Sequence, residues 1–344
     1  MILIGLLIIA VGAFCQSSCY VPIRKIRQWS WESYWIVQGV FAWLVLPLLG
    51  AMLAVPQGHS LAELFGDAAP FSLWMTMAFG VLWGIGGLTF GLSMRYLGVA
   101  LGQSIALGTC AALGTVMGPV LLNVFFPETH PLHALTASVL IGVGATLVGI
   151  AIIGVAGSMK ASALSEEEKK KAVADFNFPK GIAIALLAGF MSGCFNVGLN
   201  FGAGINFGAA TDPMFRALPA IFLVTLGGFV TNAVYCFWQN TKNHTWGDYT
   251  RGGVAVLANN LLFCLWPVHY GTVSSSASRS ARVFWRAPRR CSLSFCILMA
   301  LNVVFSNVWG IILHEWQNCS RATVVVLVVG IAVLIFSFFL PQLI

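Results

Sequence analysis

Charge is scarce in this 344-residue chain: 8% of its residues are Asp, Glu, Lys or Arg, against 58% hydrophobic. Soluble domains ordinarily carry about a quarter charged residues. No core of this length hides so much apolar surface, so lipid must be the solvent for much of it. Catalytic motifs are also missing. There is no GxSxG, no HExxH, no phosphate-binding glycine loop and no pair of carboxylates within an apolar run. Hydrolysis and group transfer need an activated nucleophile or a metal, so an enzyme is not expected. The nine cysteines form no CxxC pair and lie mostly in apolar runs. Cys15 and Cys19 share a helix face without a neighbouring His or acid, and read as small apolar filler. All six histidines fall in loops or at helix ends. His130 and His133 have ligand-like spacing but no further donor. Neither a metal nor a cofactor is expected.

What is present is a succession of long apolar runs. Crossing about 30 Å of hydrocarbon takes about 20 helical residues. The pattern predicts an all-α integral membrane protein of about ten transmembrane helices, at 2–20, 34–55, 71–94, 99–125, 133–156, 181–205, 214–238, 253–269, 293–313 and 321–342. Met1 to Ala10 has no basic start and no cleavage site, and reads as the beginning of the first helix. Pro47 and Pro119 lie inside apolar runs, which membrane helices tolerate.

A charged linker, 158–180, separates a first five-helix set (1–157) from a second (181–344). Its Glu166–Glu168 and Lys169–Lys171 runs suit a short solvated helix. Ser17-Ser18-Cys19-Tyr20 resembles Ser192-Gly193-Cys194-Phe195, half a chain away. An odd number of spans per set makes the two copies insert in opposite directions, a common transporter plan.

The net charge of +7 is explained by membrane orientation, with no nucleic-acid partner. With the N-terminus outside, the cytoplasmic loops hold Arg24, Lys25, Arg27, Arg95, Lys160, Lys169, Lys170, Lys171, Lys180, Lys242, Arg251 and Arg321. The outer side holds Arg216 and one cluster: Arg279, Arg282, Arg286, Arg289 and Arg290. That cluster lies in the anomalous stretch 265–292, which is rich in Ser and Arg, lacks a helical period and cuts the eighth helix short. A basic external loop explains it simply. A pair of compensating frameshifts explains it more sharply, since apolar sequence resumes at Leu293.

Uncharged polar residues within the runs include Gln38, Gln103, Asn196, Asn200, Asn232, Asn259, Asn260, Asn302 and Asn307. Unpartnered, each costs several kcal/mol in lipid, so they face a cavity or another helix. Asn196 and Asn200, one turn apart, together with Trp83 beside Gly84, Gly86 and Gly87, are the expected contacts of a neutral sugar. Amides bond its hydroxyls and the indole covers its C–H face. Proton coupling needs a titrating group, and no acid lies well inside a span. Asp212, Glu32 and Glu315, at helix ends, are the candidates in that order. Asp212-Pro213 also reads as a helix cap followed by Pro, with Arg216 one turn on. Trp29 and Trp31 read as interfacial anchors.

Cys19-Tyr20-Val21-Pro22, Lys25 and Trp29-Ser30-Trp31-Glu32 resemble the bacterial L-rhamnose–proton symporter family of the drug/metabolite transporter superfamily. The resemblance continues through Trp83-Gly84-Ile85-Gly86, Phe90 to Gly98 and Gly102, then Asp212-Pro213, Leu218-Pro219 and Glu315-Trp316, omitting 265–292. It implies ten helices in two inverted five-helix repeats, and import of L-rhamnose, with L-lyxose as a second sugar, driven by protons across the bacterial inner membrane. It also implies both termini in the cytoplasm, against the loop charges, which favour N-out. Two rivals stay open: an exporter of amino acids or other metabolites on the same fold, and a non-transporting membrane sensor or scaffold.

Overall fold

The computed structural model describes residues 2–18, 25–128, 137–163, 165, 176–212, 215–265, 301–317 and 319–343. Their regular secondary structure is all helical, with no strand among them. Six helices are long and apolar enough to cross a membrane: α2 (Trp31–Leu53), α4 (Pro70–Leu97), α5 (Val99–Phe125), α6 (Ala137–Ala163), α7 (Phe178–Phe201) and α8 (Leu218–Lys242). Shorter or less fully described apolar helices are α1 (Ile2–Ser18), α9 (Gly253–Leu265), α10 (Leu301–Ile312) and α11 (Arg321–Leu343). The chain is a multi-pass membrane protein. The Glu–Lys run of the linker, the Asp212-Pro213 junction and all of 265–292 after Leu265 lie outside the described residues.

Local sequence explains the breaks. Ser30 caps α2, its hydroxyl accepting from the Ser33 amide. Within α2 the turn Val40–Val45 widens to a π-turn just before Pro47. Proline offers no N–H to the preceding turn and its ring crowds a carbonyl there, so the ladder shifts register. Between α4 and α5, Gly98 takes φ +87° and ψ 169°, a region open in practice to glycine alone. One residue thus reverses the chain. Asn177 caps α7 by accepting from the Lys180 amide.

Three readings of the sequence are corrected here. A short helix, α3 (Leu61–Asp67), occupies what reads as a loop, held by a complete Ser60–Glu63 capping box. Its Leu64 packs with Ile205 and Leu223. The linker is shorter than 158–180, because α6 runs to Ala163 and Lys180 lies in the first turn of α7. Lys160, read as a loop cation, is 1% exposed. Its ammonium sits over the Trp316 ring at 4.8 Å and the Phe176 ring at 5.5 Å, and it feels the charge of Glu315.

Packing is closest where glycines let backbones meet. Extensive helix pairs are α4 with α7, α6 with α11, α5 with α7, and α4 with α8. A Cβ on Gly80 would collide with the Val224 carbonyl, and one on Gly227 with the Met77 carbonyl, so α4 and α8 touch backbone to backbone. A Cβ on Gly86 would lie 2.8 Å from the Ser192 amide nitrogen of α7. A second unit joins α6 to α11, where Thr146 and Ser337 share a 2.8 Å hydroxyl bond and Gly149 admits the Leu334 backbone.

The helix ends segregate by charge. At one end, Asn177 donates its amide to the Tyr96 carbonyl and Asn260 binds the Arg27 backbone. This end carries Lys25, Arg27, Arg95, Lys160, Lys180, Lys242, Arg251 and Arg321 among the described residues. At the other, Thr211 donates to the Ala54 carbonyl, and Arg216 is the single described Lys or Arg.

Candidate functional site

Two regions combine burial with unspent polarity. The first runs along α2. Trp31 stacks on Trp35 (5.2 Å), Trp35 meets Trp43 edge-on (5.5 Å), Trp43 meets Trp83 (6.0 Å), and Trp83 meets Phe195 (5.2 Å). This aromatic run leads from the basic end inward, across α2, α4 and α7. Asn232 of α8 fixes it. Its Oδ1 accepts the Trp35 indole N–H at 2.7 Å, and its Nδ2 donates to the Gly84 and Gly228 carbonyls. Asn232→Leu removes the 2.7 Å acceptor of the buried Trp35 indole N–H, at a cost of about 1–3 kcal/mol. Thermal unfolding in detergent will show the loss. In a double-mutant cycle with Trp35→Phe, the pair will cost less than the sum of its singles.

At the basic end of this run lies a buried polar cluster. Glu32 is 6% exposed and Asp248, in the turn Trp246–Tyr249, is 3% exposed. Glu32 Oε1 accepts from Asn243 Nδ2 (2.9 Å) and Thr245 Oγ (3.0 Å). Asp248 Oδ2 accepts from the Ser30 amide (2.7 Å) and Ser33 Oγ (3.0 Å). Asn240 stands between them, its Oδ1 within 2.9 Å of Thr245 Oγ and 3.2 Å of Ser33 Oγ. Its Nδ2 donates to the Tyr249 hydroxyl at 2.7 Å. Burial holds that phenol above its ordinary range, so it keeps its proton.

The second region lies between α1, α5 and α10. Gln103 is 1% exposed. Its Nε2 reaches the Ser17 carbonyl at 3.5 Å, while its Oε1 has no partner among the described residues. Asn307 Nδ2 donates to Ser104 Oγ at 3.0 Å and leaves its Oδ1 unpaired. Asn302, 1% exposed, has neither amide atom bonded among the described residues. Phe14 packs on Phe305 and Trp309, and the Trp309 indole N–H donates to Ser18. Neutral amides, free acceptors and aromatic faces are what a polyol needs.

The predicted site residues fall in different places. Trp83 belongs to the aromatic run. Asn196 and Asn200 share a face of α7, but that face lies on α5. A Cβ on Gly114 would come within 3.2 Å of Asn196 Nδ2, and one on Gly118 within 2.5 Å of Asn200 Nδ2. Glu32 is in the buried cluster. Glu315, 3% exposed, caps α5: its two oxygens accept the Val99 and Ala100 amides at 2.8 and 3.0 Å. Asp212 is exposed at the opposite end, where Arg216 Nε donates to the Thr211 carbonyl. Asp248 and Asn240 escape a sequence reading. Asp248 is a lone acid in a polar turn, and the residues it binds are more than 200 positions away. No group of His, Cys, Asp and Glu suited to a metal occurs among the described residues.

The family model for the L-rhamnose-proton symport protein (RhaT) matches residues 1–341. Two L-rhamnose-proton symporters, from Salmonella paratyphi B (strain ATCC BAA-1250 / SPB7) and Salmonella newport (strain SL254), are each 29% identical over 339 residues. Each comparison covers 95% of this chain and 93% of the relative. With an all-helical apolar bundle and aromatic and amide surfaces buried inside it, the chain belongs to the L-rhamnose–proton symport protein family.

Proposed function

We propose that this chain imports L-rhamnose with a proton across the bacterial inner membrane, with L-lyxose as a second substrate, through ten spans in two oppositely inserted sets of five. The match over residues 1–341 carries the reading, and the neutral buried amides suit an uncharged sugar. The contacts of the repeated segment support the inverted arrangement. Gly193 of α7 packs on Gly114 of α5, while Ser18 of α1 bonds Trp309 of α10. Under the half-chain offset these are equivalent helix pairs. The charge split between the ends supports a cytoplasmic face at Glu32, Asp248 and Glu315, with both termini outside.

The sugar lies between the sets. Trp83 supplies an aromatic face, Asn196 and Asn200 supply amides, and Gln103, Asn302 and Asn307 offer unspent ones. Of the three coupling candidates, Glu32 has the surroundings a proton carrier needs. Glu315 is committed to a helix end, and Asp212 is exposed.

Labelled L-rhamnose uptake into vesicles is the test. Uptake will rise as external pH falls, collapse with an uncoupler, and be competed by unlabelled L-lyxose. Uptake indifferent to the uncoupler rules out proton symport; outward flux of amino acids identifies the exporter. The same assay on a chain whose 265–292 segment is replaced by an in-frame apolar helix will give the larger flux, because the stretch read as frameshifted leaves the eighth run barely long enough to span. The gene sequence decides that separately: an alternative frame over these codons will encode a helix rich in apolar and aromatic residues.

A further inference from the structure

The buried cluster at the basic end joins two carboxylates through three side chains that cannot satisfy every neighbour at once. Thr245 has one hydroxyl proton and two acceptors in range, Glu32 Oε1 at 3.0 Å and Asn240 Oδ1 at 2.9 Å. Ser33 has one hydroxyl proton and faces Asp248 Oδ2 at 3.0 Å, Asn240 Oδ1 at 3.2 Å and Ser30 Oγ at 2.9 Å. With Asn240 turned as it stands, both hydroxyls can serve its carbonyl. Each carboxylate oxygen then keeps one donor, Asn243 Nδ2 on Glu32 and the Ser30 amide on Asp248, and faces a hydroxyl lone pair that a proton on the carboxyl would bridge. With the amide reversed, Nδ2 donates to both hydroxyls and Oδ1 accepts from Tyr249. Both hydroxyl protons then return to ionised carboxylates. The orientation of one amide and the charge of two carboxylates are therefore linked.

The surroundings favour proton exchange. Neither carboxylate forms an ion pair with a basic side chain among the described residues. Lys25, Arg27, Lys242, His244 and Arg251 are exposed around the cluster. Lys242 lies over the Trp238 ring at 5.1 Å, and Arg251 lies against Gly247. From within, Cys236 of α8 faces Glu32, and Tyr249 caps Asn240. Each carboxylate is held by two neutral donors and by no cation among the described residues: Asn243 and Thr245 on Glu32, the Ser30 amide and Ser33 on Asp248. The cluster also spans the two sets, with Ser30, Glu32 and Ser33 from the first and Asn240, Thr245 and Asp248 from the second.

We propose that Glu32 and Asp248, linked through Thr245, Asn240 and Ser33, form the site that takes up and releases the coupled proton, and that the Asn240 amide turns over as the proton moves. This rests on the proton-symport reading and names its titrating pair. In the forward step a proton passes to a carboxylate oxygen, the Asn240 amide turns so that its Oδ1 accepts from the neighbouring hydroxyl, and release at the basic end reverses both. No covalent bond other than O–H forms or breaks.

Infrared difference spectra of the purified chain in detergent, recorded against pH, test the site without needing transport. A protonated-carboxyl carbonyl band will titrate in the wild type and will disappear in the Glu32→Gln, Asp248→Asn double variant. An unchanged band, or none to lose, overturns the proposal. In vesicles, Glu32→Gln and Asp248→Asn will each lose at least about tenfold in protons taken up per rhamnose moved, the ratio a merely structural defect would leave unchanged. Full coupling in both overturns it. Ser33→Ala, which removes only the shared hydroxyl, will shift the pH profile of uptake by about one unit; an unmoved profile counts against the site. A wild type that moves rhamnose without protons defeats the symport reading instead, and the infrared result still decides the carboxylates.

Discussion

Replacing Gly80 or Gly227 with leucine will leave no monodisperse protein in detergent. At both positions the added carbon meets a carbonyl of the neighbouring helix backbone, Val224 on α8 for Gly80 and Met77 on α4 for Gly227. Overpacking a core ordinarily costs about 1–3 kcal/mol, because side chains shift to make room. Here the obstacle is backbone, so the helix axes must part and the contacts along α4 and α8 go with them. Alanine at either site will already lower the melting temperature markedly. Gly87 and Gly91 on the same helix supply the control, since a Cβ there meets nothing within 4 Å. Alanine at those two positions will be silent or mildly stabilising, as glycine-to-alanine changes in helices tend to be. Size-exclusion profiles of the four variants decide the matter: equal behaviour would mean that helix propensity, and not close approach, governs this face.

Glu315→Ala is the second large effect. The carboxylate satisfies two backbone amides at the start of α5, and it supplies negative charge where the helix dipole is positive. Each buried donor left unmade costs about 1–3 kcal/mol. The substitution also removes the carboxylate whose charge acts on the buried Lys160 ammonium. That ammonium has no hydrogen-bond partner among the described residues and lies over two aromatic rings. Uncompensated buried charge is costly to leave behind. Glu315→Gln keeps one acceptor and will fall between alanine and wild type. Lys160→Met in the Glu315→Ala background will recover part of the loss, and thermal unfolding of the three variants measures each step. No recovery would show that Lys160 draws nothing from Glu315.

The spans were legible because membrane solvent leaves a strong mark on sequence. Each of the six long helices overlaps an apolar run read from hydropathy alone. What depends on partners was not legible. Asn196 and Asn200 were correctly placed on one face by their spacing, yet nothing local says that this face meets Gly114 and Gly118. Glu315 looked like a free acid at a helix end, because the amides it caps lie 215 and 216 residues away. Lys160 looked solvated because lysine usually is; two rings and a carboxylate from distant segments make its burial tolerable. Helix α3 was missed although Ser60 and Glu63 carry its signature, since seven residues between two long apolar runs look like a loop.

Close backbone approaches join α4 to α7 and α8, helices from opposite sides of the linker. The genetic midpoint is therefore not a mechanical seam. Nicked within the linker, the two fragments will stay together and co-purify; synthesised apart, each exposes a notched face that only the other fills. Whatever moves during turnover must leave that shared spine intact.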